Sequence, residues 1–144
     1  MPRATRLVEA DLFISYLIGD GLEPNFSRVV EMAKSGEIDL LACSEVYDDI
    51  VSALRSQGAD LDSVADFVYD MRAIPHRPLP VTVSIARKAL DLYLEHGGPR
   101  RLHYFDSFHV ATANQMGTPL ITSDKFIIVN SEALGIEALD VRKF

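Results

Sequence analysis

Short apolar runs alternate along this chain with longer segments of helical periodicity, and this alternation limits the fold more than any other sequence feature. The runs cover residues 5–8, 38–43, 119–122 and 136–141. They are largely apolar on both faces, as strands are when helices cover both sides of a parallel sheet. The sequence therefore predicts a three-layer α/β/α fold with a central parallel sheet.

Helical segments are predicted between these strands, and proline, glycine or a capping residue marks their ends. The predicted helices run from residue 12 to Gly19, from Pro24 to Gly36, from an N-cap at Ser44 to residue 54, and over residues 61–71, 83–95 and 104–116. Pro75, Pro78 and Pro80 disfavour both helix and central strand, so their segment is predicted to be an ordered connection. A length of 144 residues suits one domain, covering residues 1–144.

The net charge of -7 bears on the classes of function that the chain can serve. It argues against binding nucleic acid through overall positive charge. It does not exclude an enzyme that acts on phosphodiesters through bound cations, because such a site must concentrate carboxylates. An acidic chain also suits a basic protein partner.

Several features of the sequence bear on where the protein is located. The apolar runs are shorter than the roughly 20 residues that span a bilayer. Glu9 and Asp11 interrupt the stretch in which a signal peptide would be apolar. The single cysteine, Cys43, excludes an intrachain disulfide and is expected to be buried. We therefore expect a soluble, cytoplasmic protein that does not enter a membrane.

Acidic residues follow several of the predicted strands. Glu9 and Asp11 follow the first strand, and Asp124 follows the third. The helix after the second strand carries Glu45, Asp48 and Asp49. Because ligands collect at the carboxyl ends of parallel strands, we expect these acids to meet at one edge of the sheet.

Asp106 is the most informative single residue. Apart from Asp106, the predicted helix 104–116 contains no Asp, Glu, Lys or Arg, which indicates a buried helix. A carboxylate there loses solvation unless a cation or hydrogen-bond donors compensate it. The alternative is that Asp106 is a helix N-cap or is satisfied by backbone amides of the first turn. His103 and His109 flank it, and we interpret histidines on a buried helix as structural rather than catalytic.

Carboxylates that converge in one cleft repel each other, so the predicted cluster stays charged only around a cation. Oxygen ligands select hard ions such as Mg²⁺ or Mn²⁺. Zinc would require closely spaced cysteine or histidine, and the sequence offers no convincing set. The sequence therefore predicts a magnesium or manganese site.

Two segments, YFDSFHVATA at residues 104–113 and PLITSD at residues 119–124, are the most specific part of a resemblance that covers nearly the full length of the chain. At these residues the chain resembles the PIN-domain family, and more closely its VapC-type toxins. The family typically has a buried Asp before an alanine-rich helix, and then a short strand that ends in Thr-x-Asp. By this resemblance Asp106 and Asp124 are catalytic metal ligands, and Thr122 is a supporting hydroxyl.

Other positions depart from the usual motif of the family. The family usually has Asp-Thr-Asn/Ser before its first helix, whereas this chain has Glu9 at the Asp and Asp11 at the Asn/Ser, as in an archaeal subset. The remaining acid of the family is usually a Glu. Asp49 matches its place best, with Asp48 and Glu45 as alternatives. The resemblance implies that Glu9, Asp11 or both contact the metal and that Asp49 completes the catalytic set.

The resemblance also implies an activity. The chain would be a divalent-metal-dependent endoribonuclease that hydrolyses RNA phosphodiesters, acting as the toxin of a toxin–antitoxin pair. One or two metal ions would activate a water and stabilise charge on the attacking and leaving oxygens. Candidate residues for holding the RNA backbone are Arg100, Arg101 and Lys125, with surface solvation as the alternative role for each.

Protein partners are implied by the same resemblance. We expect a homodimer and a cognate antitoxin whose tail occupies the acidic cleft. A surface formed by Phe67, Val68 and Met71 is a candidate for contact with a partner, with core packing as the alternative.

Two further functions are alternatives to the nuclease. The departures at Glu9 and Asp49 would suit a catalytically degenerate PIN-like domain that acts only as a binding module. The start Glu9-Ala10-Asp11 also resembles the Asp-x-Asp of haloacid-dehalogenase-like phosphatases. Those enzymes need Asp at the first position as a covalent nucleophile, and Glu9 is a poor substitute.

Overall fold

A computed structural model describes residues 3–144 and contains a central sheet of five parallel strands. The strands are β1 (Ala4–Val8), β2 (Ile38–Cys43), β3 (Arg77–Leu79), β4 (Leu120–Thr122) and β5 (Ala138–Asp140). Their order across the sheet is β3-β2-β1-β4-β5. The predicted α/β/α fold is confirmed.

Helices cover both faces of this sheet. They are α1 (Ala10–Ile18), α2 (Glu23–Ser35), α3 (Val46–Ser56), α4 (Leu61–Asp70), α5 (Val83–His96), α6 (Tyr104–Met116), α7 (Lys125–Val129) and α8 (Ser131–Leu134). Short 3₁₀ turns follow α4 at Met71–Ala73 and β5 at Val141–Lys143. No helix within residues 3–144 combines the length and apolar character needed to cross a membrane.

The sheet separates two hydrophobic cores. Neighbouring residues of β1 point to opposite faces, so Val8 packs into one core with α1 to α4, whereas Leu7 packs into the other with α5 and α6. The same alternation in β2 divides Leu40 from Leu41. This two-sided burial is why the strands read as apolar runs without polar alternation.

The edge strand β3 lies in the proline-rich segment, where the sequence predicted only a connection. Its Pro78 is in register with Ala42 of β2. An edge strand has a partner on one side only, so it tolerates a residue without an N–H. The prediction of an ordered connection therefore missed the edge strand at residues 77–79, although the prediction that this segment is not a central strand agrees with its place at the edge.

The predicted N-cap at Ser44 is also wrong, because α3 begins at Val46 and Glu45 occupies the cap position. The Ser44 Oγ instead accepts a hydrogen bond from the Val81 amide at 3.2 Å, and the Ser44 amide donates to the Leu79 carbonyl at 2.8 Å. Ser44 therefore ties the end of β2 to the segment after β3.

Of the residues suggested as a partner surface, Met71 is buried, and Phe67 and Val68 pack against the first core. Core packing, the alternative reading, describes these side chains. Cys43 is buried, as predicted.

The order of the strands creates a crevice at one edge of the sheet. From β1 the chain moves outward through β2 to β3, and then returns to β4 on the other side of β1. In open parallel sheets, such a reversal leaves a crevice at the carboxyl ends of the two central strands, here β1 and β4. The residues that follow these strands are therefore the first candidates for a functional site.

Candidate active site

Five acids, Glu9, Asp11, Asp49, Asp106 and Asp124, form what we call the acidic cluster at this edge. Each lies at the start of a helix. Glu9 and Asp124 occupy the N-cap positions of α1 and α7, and the other three lie in the first turns of α1, α3 and α6. The positive end of each helix dipole favours a negative charge there.

A buried hydroxyl joins the ends of β1 and β4. Thr122 Oγ1 donates to Glu9 Oε1 at 2.9 Å and accepts from the Asp124 amide at 3.0 Å. Thr122 is fully buried, and only 5% of Glu9 is exposed. The hydroxyl therefore fixes one oxygen of Glu9 and the backbone that carries Asp124.

Asp11 holds the loop after β4. Its Oδ2 accepts hydrogen bonds from the Ser123 amide at 2.8 Å and from the Ser123 hydroxyl at 2.6 Å. Asp124 has a comparable local role, because its Oδ1 accepts from the Ile127 amide at 3.0 Å and caps α7. One oxygen of each carboxylate is thus committed to backbone geometry.

Asp106 lies close to possible metal-ligand atoms of four neighbouring residues. Its carboxylate lies within 4.8 Å of ligand atoms of Asp49 and His109 on one side, and of His103 and Asp124 on the other. His103 occupies the N-cap position of α6, so Asp106 is not the N-cap considered as an alternative. The placement of Asp106 makes it the centre of the cluster.

Among the candidates on α3, Asp49 reaches the cluster and Asp48 is exposed to solvent. Asp49 Oδ2 lies 2.9 Å from His109 Nε2. His109 was interpreted as structural from the sequence, and its contact with an acid of the cluster was not foreseen. The spacing Asp106-x-x-His109 on one helix face was the signal that could have indicated it.

Burial raises the pKa values of three carboxyl groups in the acidic cluster. It raises the pKa of Glu9 well above its ordinary value, and the charges of Asp11 and Asp106 raise it further. Burial also raises the pKa of Asp11, although hydrogen bonds from Ser123 oppose the rise. The pKa of Asp106 is raised to about 6, mainly by burial, while His109 opposes the rise and Asp124 adds to it.

The donor atoms of the cluster suit a divalent cation. Within residues 3–144, Glu9 Oε2 and Asp11 Oδ1 are buried without a hydrogen-bond partner. Buried carboxylate oxygens are costly in this state, and a cation among them removes the cost. Among the described residues, two sets of possible ligand atoms lie within 4.8 Å of one another. One set comes from Asp49, Asp106 and His109, and the other from His103, Asp106 and Asp124. Glu9 and Asp11 belong to neither set. The sequence suggested a site of oxygen ligands alone, whereas histidine nitrogens also lie near Asp106.

The basic residues considered for RNA contact lie on the surface. Arg100, Arg101 and Lys125 are exposed, and Arg101 Nη2 donates to the Glu95 carbonyl at 3.5 Å. Within the described part of the chain, none of the three forms an ion pair with the acidic cluster. These three side chains are therefore accessible from solvent and lie outside the ion pairs of the acidic cluster.

A matched pair of variants tests the role of α3. We expect Asp49→Asn to weaken Mn²⁺ binding by about tenfold or more, since changes even behind a metal ligand cost about 10–100-fold in affinity. The exposed neighbour in Asp48→Asn should leave binding unchanged. Isothermal calorimetry of both variants decides the assignment, and equal affinities would show that Asp49 is outside the metal site.

Comparison with protein families gives one assignment for the chain. The model of the PIN domain family matches residues 7–128, a span that contains all five acids of the acidic cluster. A comparison with curated proteins finds no match.

Solved structures share the fold at low sequence identity. The chain is similar to VapBC2 from Rickettsia felis bound to a promoter DNA fragment, with TM-score 0.66, 9% identity, and 94% of this chain and 97% of that chain covered. It is also similar to VapC20 of Mycobacterium tuberculosis, described as a sarcin-ricin loop cleaving toxin, with TM-score 0.61, 13% identity and coverage of 80% and 86%. For PAE2754 from Pyrobaculum aerophilum the TM-score is 0.63, with 15% identity and coverage of 97% and 85%.

Proposed function

The chain belongs to the PIN domain family, and on that premise we propose that it is a divalent-metal-dependent endoribonuclease, acting as the toxin of a toxin–antitoxin pair. The observation that carries this proposal is the acidic cluster at the crevice between β1 and β4, with its unpartnered buried oxygens. The description of VapC20 as a sarcin-ricin loop cleaving toxin supports the reaction class.

The metal would be Mg²⁺ or Mn²⁺, held by Asp106 with Glu9, Asp11, Asp49 and Asp124. When bound, it lowers the pKa of a water and stabilises negative charge on the phosphate. The chain contributes the placement of its acids. Thr122 keeps one Glu9 oxygen fixed, which leaves Oε2 for the cation.

The charge of the protein explains why a cation is needed for substrate binding as well. With a net charge of -7, the chain as a whole repels a phosphodiester backbone. A divalent ion bound in the cluster would offset part of this negative charge and offer a positive centre to a phosphate. We propose that Lys125, next to Asp124, and Arg100 and Arg101, before α6, then contact the RNA backbone.

The partners that we propose are a cognate antitoxin and a second copy of the chain. The likeness to VapBC2 and to a toxin–antitoxin complex from Klebsiella pneumoniae supports the antitoxin. An adjacent short reading frame for an antitoxin would test this assignment. Sedimentation of the purified protein would test the dimer, for which the exposed Val83 and Leu94 of α5 offer apolar surface.

The activity is tested by incubating a structured RNA with the purified protein and added Mn²⁺ or Mg²⁺. We expect internal cleavage with either metal and none after chelation, because the carboxylates alone cannot activate a water at neutral pH. A second preparation of the Asp124→Asn variant controls for contaminating nucleases. Weak or absent Mn²⁺ binding together with no cleavage would favour a binding module over a nuclease.

A further inference from the structure

His109 lies in a buried stretch of α6, and its hydrogen-bond partner among the described residues is Asp49. It follows Asp106 by one turn of α6, inside the continuous buried run Ser107–Ala113. Its side chain has no exposed surface, and its Nε2 lies 2.9 Å from Asp49 Oδ2. The imidazole is not among the residues proposed to hold the metal.

The hydrogen-bonding pattern fixes the form of the ring. A carboxylate oxygen can only accept, so Nε2 must donate its proton to Asp49. Within residues 3–144, the other nitrogen, Nδ1, is buried without a partner. A proton on Nδ1 would be a buried donor with no acceptor, which is costly, so the hydrogen bond to Asp49 identifies Nε2 as the donor nitrogen of the ring.

The same hydrogen bond counteracts a repulsion inside the cluster. The nearest oxygens of Asp49 and Asp106 lie within 4.8 Å of each other, and the Asp49 side chain is 17% exposed. Without a tether, like charges at this distance would drive Asp49 toward solvent. The donor on α6 holds the carboxylate of α3 in place, and it uses only the Oδ2 atom.

We infer that His109 is a positioning residue, which holds Asp49 through Nε2–H so that the other Asp49 oxygen faces the metal. This inference rests on the proposed function, because it assumes that the acidic cluster binds a cation. It also means that Nε2, while it donates this hydrogen bond, is not available as a metal ligand. Asp49 is shorter than the Glu that the family usually has at this position, and His109 holds it in place.

The test compares His109→Gln with His109→Leu. The Gln side chain can place an N–H donor near the position of Nε2, whereas Leu of similar bulk has no donor. We expect His109→Leu to weaken Mn²⁺ binding by about 10–100-fold, the range for residues behind a metal ligand, and His109→Gln to stay within about threefold of the wild type. Calorimetry with MnCl₂ alone measures both.

A control on the same helix separates positioning from packing. Thr112 is buried one turn further along α6 and donates to the Phe108 carbonyl at 2.7 Å. Thr112→Val therefore removes a buried hydrogen bond without touching the cluster, and its Mn²⁺ affinity should match the wild type. Equal weakening in the Gln and Leu variants would overturn the inference, as would wild-type affinity in the Leu variant.

The ring form is read independently of metal and activity by ¹⁵N NMR of the histidine side chains. We expect the His109 signal of the metal-free protein to show a proton on Nε2, and to change in an Asp49→Ala variant. If the wild type bound no Mn²⁺, the proposed function would fail. The NMR result would then decide the His109–Asp49 contact, and a proton on Nδ1 or a signal insensitive to Asp49→Ala would overturn it.

Discussion

An Asp106→Asn variant is expected to lose metal-dependent RNA cleavage by about 100-fold or more at pH 8. Asp106 is shared by both groups of possible ligand atoms, so the neutral amide weakens each of them. A bound metal contributes several kcal/mol of charge stabilisation in the transition state, and about 1.4 kcal/mol corresponds to each tenfold loss. The measurement is the initial rate of RNA cleavage at saturating Mn²⁺.

The loss should not come from unfolding. Burial disfavours the charged form of Asp106, so the metal-free variant is expected to be at least as stable as the wild type at this pH. Asp91→Asn on α5 is a matched control, because Asp91 is an exposed acid that pairs with Arg87 away from the cluster. Full activity of Asp106→Asn in a clean preparation would mean that the mechanism is wrong.

The fold could be predicted from the sequence because both cores leave a local pattern. Apolar strands and their helices are encoded by neighbouring residues, and β2 and α6 end where the pattern ends. Strand β3 could not be predicted, since pairing of Arg77–Leu79 depends on β2 and on the tolerance of an edge for Pro78. Helices α7 and α8 are too short to show a period.

The sequence indicated which acids lie together at this edge of the sheet more clearly than it indicated their contacts. Asp106 stood out as a charge within an apolar helix, and the strand ends indicated Glu9 and Asp124. The hydrogen bonds of Asp11 and His109 could not be predicted from the sequence. Asp11 contacts a loop far along the chain, and His109 on α6 contacts Asp49 on α3. Hydrogen bonds between distant segments leave no periodic trace in a sequence.

The metal-free protein is expected to lose stability as the pH rises from 5 to 8, where exposed carboxylates are already ionised and contribute little change. A carboxyl group with a raised folded-state pKa binds more protons in the folded than in the unfolded state, so its contribution is present below about pH 4 and is lost as pH rises through the folded value. For Asp106 that value is about 6, and Glu9 shifts in the same direction. From Asp106 alone we expect a decrease of about 1.4 kcal/mol in the free energy of unfolding between pH 5 and pH 8, because a group with a pKa of about 6 is already partly ionised above pH 5.

Denaturant unfolding in chelator at pH 5 and pH 8 measures this decrease, and Asp106→Asn should reduce it. Adding Mn²⁺ at pH 8 should restore stability, because a ligand that binds only the folded state contributes about 2.7 kcal/mol at 100 times its Kd. The restoration should be small at pH 5, since protons on Asp106 and Glu9 then compete with the metal. A pH-independent gain from Mn²⁺, equal in Asp106→Asn, would place the metal outside the acidic cluster.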